Sequence, residues 1–489
     1  MTSTTPDAKP QVAPGPPKAA APGAAAPAVP FSRGYTRYAM WLLLGIYVIN
    51  FLDRQVINIL AEPIKQDLKL ADWQLGLMSG LAFAVFYTVL GIPIARLAER
   101  KNRPVIIGTS VAVWSGFTAL CATAGNFWQL VLFRIGVGVG EAGCTPPAHS
   151  LIVDYVPKEK RASALAFYSM GTPIGGLIGL VMGGMVADAY GWRAAFLIAG
   201  VPGLLFAALA VFTLKEPRRI MRQHAAQVTA EMASFSETVR YLAKRNTFWF
   251  IAFAAAIKAF IGYGHAPFTA SFFLRNHTAE IAQLADFWGN ILGINLGPIG
   301  FIGLALGVIS GTAGAFGAWM GGVIADRYGK HDLRAYMVTP AIASLITIPI
   351  YIIAVTIDSA SIALPMLAIN AFLGTLWYGP VYGTGQSVVP PHMRATAAAL
   401  LLFIINLVGL GLGPLAVGIM SDVMANVFLG ADGLSVGACK TAVGAAKATC
   451  AVGVGEGVRW ALILSTAFGL AAFVCFWLAR RTIREDTVS

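Results

Sequence analysis

Charge is scarce in this sequence. Only 12% of its 489 residues are Asp, Glu, Lys or Arg, about half the roughly 25% usual for a soluble domain. There are only six histidines and five cysteines, and no CxxC or Cys/His metal spacing. That excludes a zinc ribbon and a small disulfide scaffold. No Walker A or HExxH pattern occurs, so nothing marks a phosphate cradle or a zinc protease. Neither an enzyme nor a cofactor is expected. A net charge of +12 would suit nucleic acid if it lay on one stripe or tail. The Lys and Arg are instead spread over short loops, which argues against a nucleic-acid partner. Residues 1–35 begin with a Pro- and Ala-rich stretch that has no apolar core of a signal peptide. They read as a disordered cytoplasmic tail.

Apolar runs fill the rest. Hydrophobic residues make up 57% of the chain and the mean hydropathy is +0.69. A soluble protein of this composition would expose very large apolar patches. Apolar length and Gly, Pro and charge punctuation predict about twelve membrane-spanning helices. They fall near 38–60, 74–96, 104–124, 127–149, 162–186, 193–214, 248–274, 299–325, 335–357, 361–387, 395–420 and 457–480. The fold class is therefore all-α integral membrane protein, in two six-helix bundles. The first bundle covers 36–214 and the second 248–480, with an outer loop at 421–456 and a cytoplasmic tail at 481–489. Between them, 215–247 carries Met221, Val228, Met232, Phe235, Val239 and Leu242 at helical spacing, an amphipathic linker along the inner face. With both termini cytoplasmic, roughly 25 Lys and Arg fall inside and roughly 7 outside, the bias that fixes orientation. A bacterial inner membrane and a monomer are expected. Cys439 and Cys450 flank a polar stretch of the outer loop, where a disulfide is plausible.

Four charges interrupt the apolar runs of the first half: Asp53, Arg54, Arg134 and Glu141. Each costs about 2.5–3.5 kcal/mol at a helix centre even on lenient insertion scales. Groups so expensive read as a solute or proton pathway. Asp53 is the candidate proton switch: protonation would remove its pull on Arg54 or Arg134 and free that cation for an anionic headgroup. Arg134 and Glu141 are seven residues apart on one face, about 10.5 Å along the axis. They need partners elsewhere, and Asp53 is the candidate for Arg134. Glu141 reads equally as a second proton carrier or as a packing device satisfied by a hydroxyl. In the second half, Lys258 either binds an anion or snorkels. His265 reads as hydrogen-bonded structure. Tyr378, with Trp377, Asn370 and Tyr382, is a candidate cavity lining.

The halves echo each other. ARLAERKNR (Ala95 to Arg103) after the second span matches GVIADRYGK (Gly322 to Lys330) after the eighth. VPKEKRASALA after the fourth matches VPPHMRATAAAL after the tenth. The Gly322–Lys330 segment fits the G-x-x-x-D-R-x-G-R/K hallmark of the major facilitator superfamily, which the chain resembles over roughly 38–480. The first copy departs at Ala95, Glu99 and Asn102. NFLDRQVIN and RIGVGVGEAGCTPPAHSLIVDYVPKEKRASA look like the Spinster family. The resemblance implies alternating access and proton-linked movement of sphingosine phosphates, lysophospholipids and related amphiphiles. The expected partners are membrane lipids, an amphipathic anionic substrate and protons. A small organic anion or drug on the same fold is the alternative, and a membrane lipid enzyme a more distant one. Glu99, Arg100, Arg103, Asp326 and Arg327 are expected to gate the cytoplasmic side by pairing with neighbouring helix ends.

Overall fold

The structure, a computed structural model, describes residues 31–218 and 235–488. The expected tail over 1–30 and the middle of the linker, 219–234, lie outside the described residues. Ten helical segments among them are long and apolar enough to cross a membrane. Helix is the form such runs must take, because hydrocarbon offers the backbone no hydrogen-bond partner. One segment, Ser163–Thr213, makes two passes. Gly191 breaks it with φ 83°, a conformation L side chains rarely adopt. A further pass is made by Phe127–Glu141 and Thr145–Tyr155, which brings the crossings to twelve. The single run expected at 127–149 is thus two helices. The first ends at Glu141 with Ala142 as its cap, and Pro146 and Pro147 lie in the first turn of the second, where their missing N–H groups cost nothing.

The first half comprises Arg33–Ile59, Asp72–Ala98, Arg103–Cys121, the divided fourth span and the two arms of Ser163–Thr213. The second comprises Asn246–Asn276, Pro298–Gly329, Ala335–Thr356, Ala360–Ser387, Pro391–Gly430 and Ala445–Asp486. We call the end that carries the basic turns inner and the opposite end outer. Small residues let the spans approach closely. A Cβ on Gly179 of the fifth span would sit 2.7 Å from the Leu52 carbonyl oxygen of the first. Gly179→Ala should therefore lower unfolding stability by about 1–3 kcal/mol, the usual overpacking cost. Thermal unfolding in detergent reads this directly.

Two departures lie at the outer end. Helix Thr278–Leu292 occupies what read as a bare connection. Its polar residues keep it out of any apolar run. It buries Ile281, Ala285 and Gly289, one every four residues, and exposes Phe287, Trp288, Ile291 and Leu292. Glu280 fastens it by accepting from the N–H groups of Ala360 (2.6 Å) and Ser361 (3.0 Å) at the start of the tenth span. The outer loop is also shorter than 421–456. The eleventh span runs to Gly430 and the twelfth begins at Ala445. A disulfide joins Cys439 to Cys450, with Cα atoms 5.6 Å apart.

Three π-helical turns interrupt the spans: Leu77–Leu81 in the second, Ile309–Gly314 in the eighth and Ile405–Leu412 in the eleventh. Such turns release carbonyls from the i→i−4 ladder and concentrate at functional sites. The first two lie in corresponding spans of the halves. Their freed carbonyls are used alike: Met78 O faces the Arg134 Nε of the fourth span at 3.4 Å, and Gly314 O accepts from Thr375 Oγ1 of the tenth at 2.8 Å.

Candidate functional site

Adjacent residues on an α-helix point about 100° apart, so Asp53 and Arg54 address different neighbours. Asp53 turns into the first half and is fully buried. It accepts a hydrogen bond from Thr118 Oγ1 of the third span at 3.0 Å. Arg54 turns toward the fourth span, where its Nε meets Glu141 Oε2 at 2.6 Å. The expected pairing is thereby corrected. Asp53 forms no ion pair with Arg134, and Glu141 is satisfied by a guanidinium rather than a hydroxyl. Arg134 and Glu141 lie two turns apart, as their spacing requires, and the long Arg54 side chain reaches the Glu141 end. Arg134 is buried and, among the described residues, has only the Met78 carbonyl at hydrogen-bond distance.

Aromatic rings do much of the work a second carboxylate would have done. The Arg54 guanidinium lies 4.4 Å from the Tyr87 ring centroid, 5.0 Å from Phe83 and 5.2 Å from Phe51. Arg134 lies 5.3 Å from the same Phe83 ring. Cation–π contacts gain when water is excluded, about 2 kcal/mol or more each. Hydrogen-bonding capacity is nonetheless left over. Asp53 Oδ1, Arg134 Nη1 and Glu141 Oε1 are buried without a hydrogen-bond partner among the described residues. Buried polar atoms without partners are rare in folded proteins and concentrate where protons or ligands are handled.

Tyrosines of both halves gather around Arg54: Tyr87 meets the guanidinium, and Tyr47 of the first span and Tyr263 of the seventh lie within its electrostatic reach. Tyr47 stacks on Tyr168 at 4.2 Å, and Trp377 stacks on Tyr378 at 4.2 Å. Tyr378 is 37% exposed, and Tyr382 stacks beyond it at 6.2 Å. Tyr263 of the seventh span packs against the apolar cores of both halves. Lys258 is buried on the seventh span, with no ion pair among the described residues. His265 bonds Ser465 at 2.9 Å and stacks on Tyr351 at 4.5 Å, a structural arrangement.

At the inner end the ion pairs among the described residues stay within one half. Arg103 is fully buried and contacts Asp154 at 2.7 Å, Ser150 Oγ at 2.9 Å and the Glu216 carboxylate. It ties the third, fourth and sixth spans of the first half to one another. Asp326 accepts from the Tyr336 hydroxyl at 2.8 Å, within the second half. Arg100 and Arg327 are exposed, and the side chain of Glu99 lies outside the described set. Burial raises the Glu216 carboxyl, but the Arg103 guanidinium and N–H outweigh it and hold it below the usual carboxylate range. A depressed acid stabilises fully above its unfolded pKa and loses that contribution as pH falls through its folded pKa. Acidification below about pH 4.3, the ordinary Glu value, should therefore loosen this knot. In Glu216→Gln the part of acid unfolding due to it should vanish, as thermal melts across pH will read.

The outer end carries the feature that sequence reading missed. Arg275, at the end of the seventh span, reaches across the halves. It meets Glu62 at 2.7 Å and both oxygens of Asp72 at 2.8 Å. Lys65 and Ser421 Oγ add further bonds to Asp72, each 2.6 Å. Two carboxylates then cap helix starts in the opposite half. Asp422 of the eleventh span accepts from the Asp72 and Trp73 N–H groups at 3.1 and 2.8 Å. Asp188 of the fifth accepts from Ile299 and Gly300 at 3.2 and 2.6 Å. Helix starts leave N–H groups free and favour negative charge there. The fifth span caps the eighth, and the eleventh caps the second, as the internal repeat demands. These acids lie near span ends, where charge is ordinary, so composition alone gave no signal.

The Major Facilitator Superfamily profile matches residues 43–414. A crystal structure of a bacterial homologue of the human lysosomal transporter Spinster, inward-facing and unoccupied, superposes with a TM-score of 0.81 at 32% identity, covering 94% of this chain and all of that one. An MFS-type efflux pump of Mycolicibacterium smegmatis is 28% identical over 92% of this chain and 94% of its own length. Protein spinster homolog 1 of Xenopus tropicalis is 27% identical over 78% of this chain and 72% of its own. With its two six-helix halves and their repeated inner turns, the chain belongs to the Major Facilitator Superfamily of membrane transporters, in its Spinster-like branch.

Proposed function

We propose that this protein is a proton-coupled secondary transporter of amphipathic lipids, of the lysophospholipid or sphingoid-phosphate type, working by alternating access. The observation that carries this reading is the Arg54–Glu141 pair at 2.6 Å, set against tyrosines from both halves. Protonating Glu141 removes its charge and leaves Arg54 a free cation beside the aromatic wall, matched to an anionic headgroup. Asp53, held by a single hydroxyl, is the second proton acceptor. Lys258 offers a cation from the other half, and Tyr378 an amphipathic face for the polar–apolar junction of a lipid. Arg100, Asp326 and Arg327, with Glu99, are available to pair between halves when the inner end closes. The basic turns favour an inner end in the cytoplasm of a bacterial inner membrane, and the protein acts as a monomer.

A second reading, export of a small organic anion or drug, is favoured by the likeness to the mycobacterial efflux pump and by a Bacillus subtilis hexuronate transporter, 26% identical over 83% of this chain. Counterflow into vesicles, with lysolipids, sphingoid phosphates and organic anions at two pH values, separates the two. Lysolipid exchange driven by an acid exterior supports the lipid reading. Exchange confined to hexuronates or drugs replaces it with the second. Asp53→Asn should keep counterflow and lose pH-driven accumulation; full pH-driven transport would remove Asp53 from the proton path.

A further inference from the structure

A groove of about 310 Å³ opens at the inner end between the first span and the start of the fifth. Arg37 and Lys160 stand on its rim, and Met40, Trp41, Ala164 and Phe167 line it. Trp41 is 60% exposed, and its ring meets Phe167 edge-on at 5.0 Å. Neither Arg37 nor Lys160 has an ion pair among the described residues. Arg33 lies one turn before Arg37, and Arg161 follows Lys160. The nearest acid in sequence is the exposed Glu159; Asp154 is taken by Arg103.

We infer that this groove binds an anionic phospholipid of the inner leaflet, the headgroup phosphate between Arg37 and Lys160 and an acyl chain along Trp41 and Phe167. Three features of the groove meet in that ligand. Basic pockets between spans at the cytoplasmic face suit anionic headgroups. An exposed tryptophan at the same level is at home at the boundary between headgroup and hydrocarbon. The floor is apolar, so a free phosphate would leave most of the groove unfilled. Guanidinium and ammonium together supply enough donors to hold a phosphodiester. The site is separate from Arg54 and Glu141, and it rests on the inner end facing the cytoplasm, not on the identity of the transported substrate.

Native mass spectrometry of the full chain, titrated with phosphatidylglycerol or phosphatidylcholine, tests it. One phosphatidylglycerol should be retained, with a preference of roughly tenfold or more over phosphatidylcholine, from two cations at the surface. Arg37→Gln with Lys160→Gln should abolish the preference. Arg37→Lys with Lys160→Arg should keep it, which guards against a folding defect. Lys330→Gln with Arg481→Gln, an equal loss of charge at the same end, should also keep it. Equal retention of the two lipids overturns the proposal, as does retention of phosphatidylglycerol by the double Gln variant. Displacement by glycerol phosphate as readily as by intact lipid reassigns the site to a free anion. Displacement by a lysolipid at its transport concentration makes it part of the transport path instead.

Discussion

Arg275→Ala should open the outer end. The side chain holds Glu62 and two oxygens of Asp72 from across the interface and is itself almost wholly buried. Its loss leaves Asp72 with Lys65 and Ser421 and leaves Glu62 with no cation, only the Gln66 amide at 3.3 Å. Removing one partner of a buried pair costs about 3–5 kcal/mol, most of it from the charge left behind. Opening to water relieves that penalty, so the variant favours whichever state hydrates the carboxylates. A ligand that inverts a 1:99 equilibrium needs about 5.5 kcal/mol, and this substitution supplies most of it. Spin labels at Tyr190→Cys and Val427→Cys, exposed positions on the outer ends of the two halves, should show a new longer-distance population. Cys475, half-exposed, is replaced beforehand. An unchanged distance distribution would mean that the outer end is held by packing alone.

The second large effect is expected at Glu141, and it separates stability from function. Glu141→Leu leaves the Arg54 guanidinium in a buried site with rings for company but no counter-charge. Unfolding stability should fall by about 3–5 kcal/mol. Adding Arg54→Met removes the orphaned charge. Apolar replacement of a whole buried pair is often neutral or stabilising, so the double variant should melt near the parent. It should not transport. If stability did not recover, the pair would be part of a larger network, with Asn50, which lies against Glu141, the first residue to test. If transport recovered, neither group would belong to the substrate or proton path.

The sequence made the span count, the two halves, the inner turns and the four costly charges legible because each is a local departure from an apolar background. Who pairs with whom was not legible. Asp53 and Arg54 are neighbours in the chain, and only the rotation of the first helix sends one to Thr118 and the other to Glu141. Helix Thr278–Leu292 escaped because half of its surface lies against the bundle, so its residues are mixed rather than uniformly apolar. The outer clamp escaped for a different reason. Glu62, Asp72, Asp188, Arg275 and Asp422 stand where charge at a span end is unremarkable, and they meet only when two halves far apart in the chain are docked. The π-helical turns of the second, eighth and eleventh spans left no composition signal either.

The crossed caps of Asp188 and Asp422 have a consequence for descent. Each acid sits on one half and holds the start of a helix in the other. A six-helix ancestor that paired with a second copy of itself would therefore have owned both fastenings at once, from a single carboxylate. Joining such copies into one chain would keep both fastenings and leave the interiors free to diverge, an arrangement in keeping with Asp53, Arg54, Arg134 and Glu141 in the first half and twin closures at the rim.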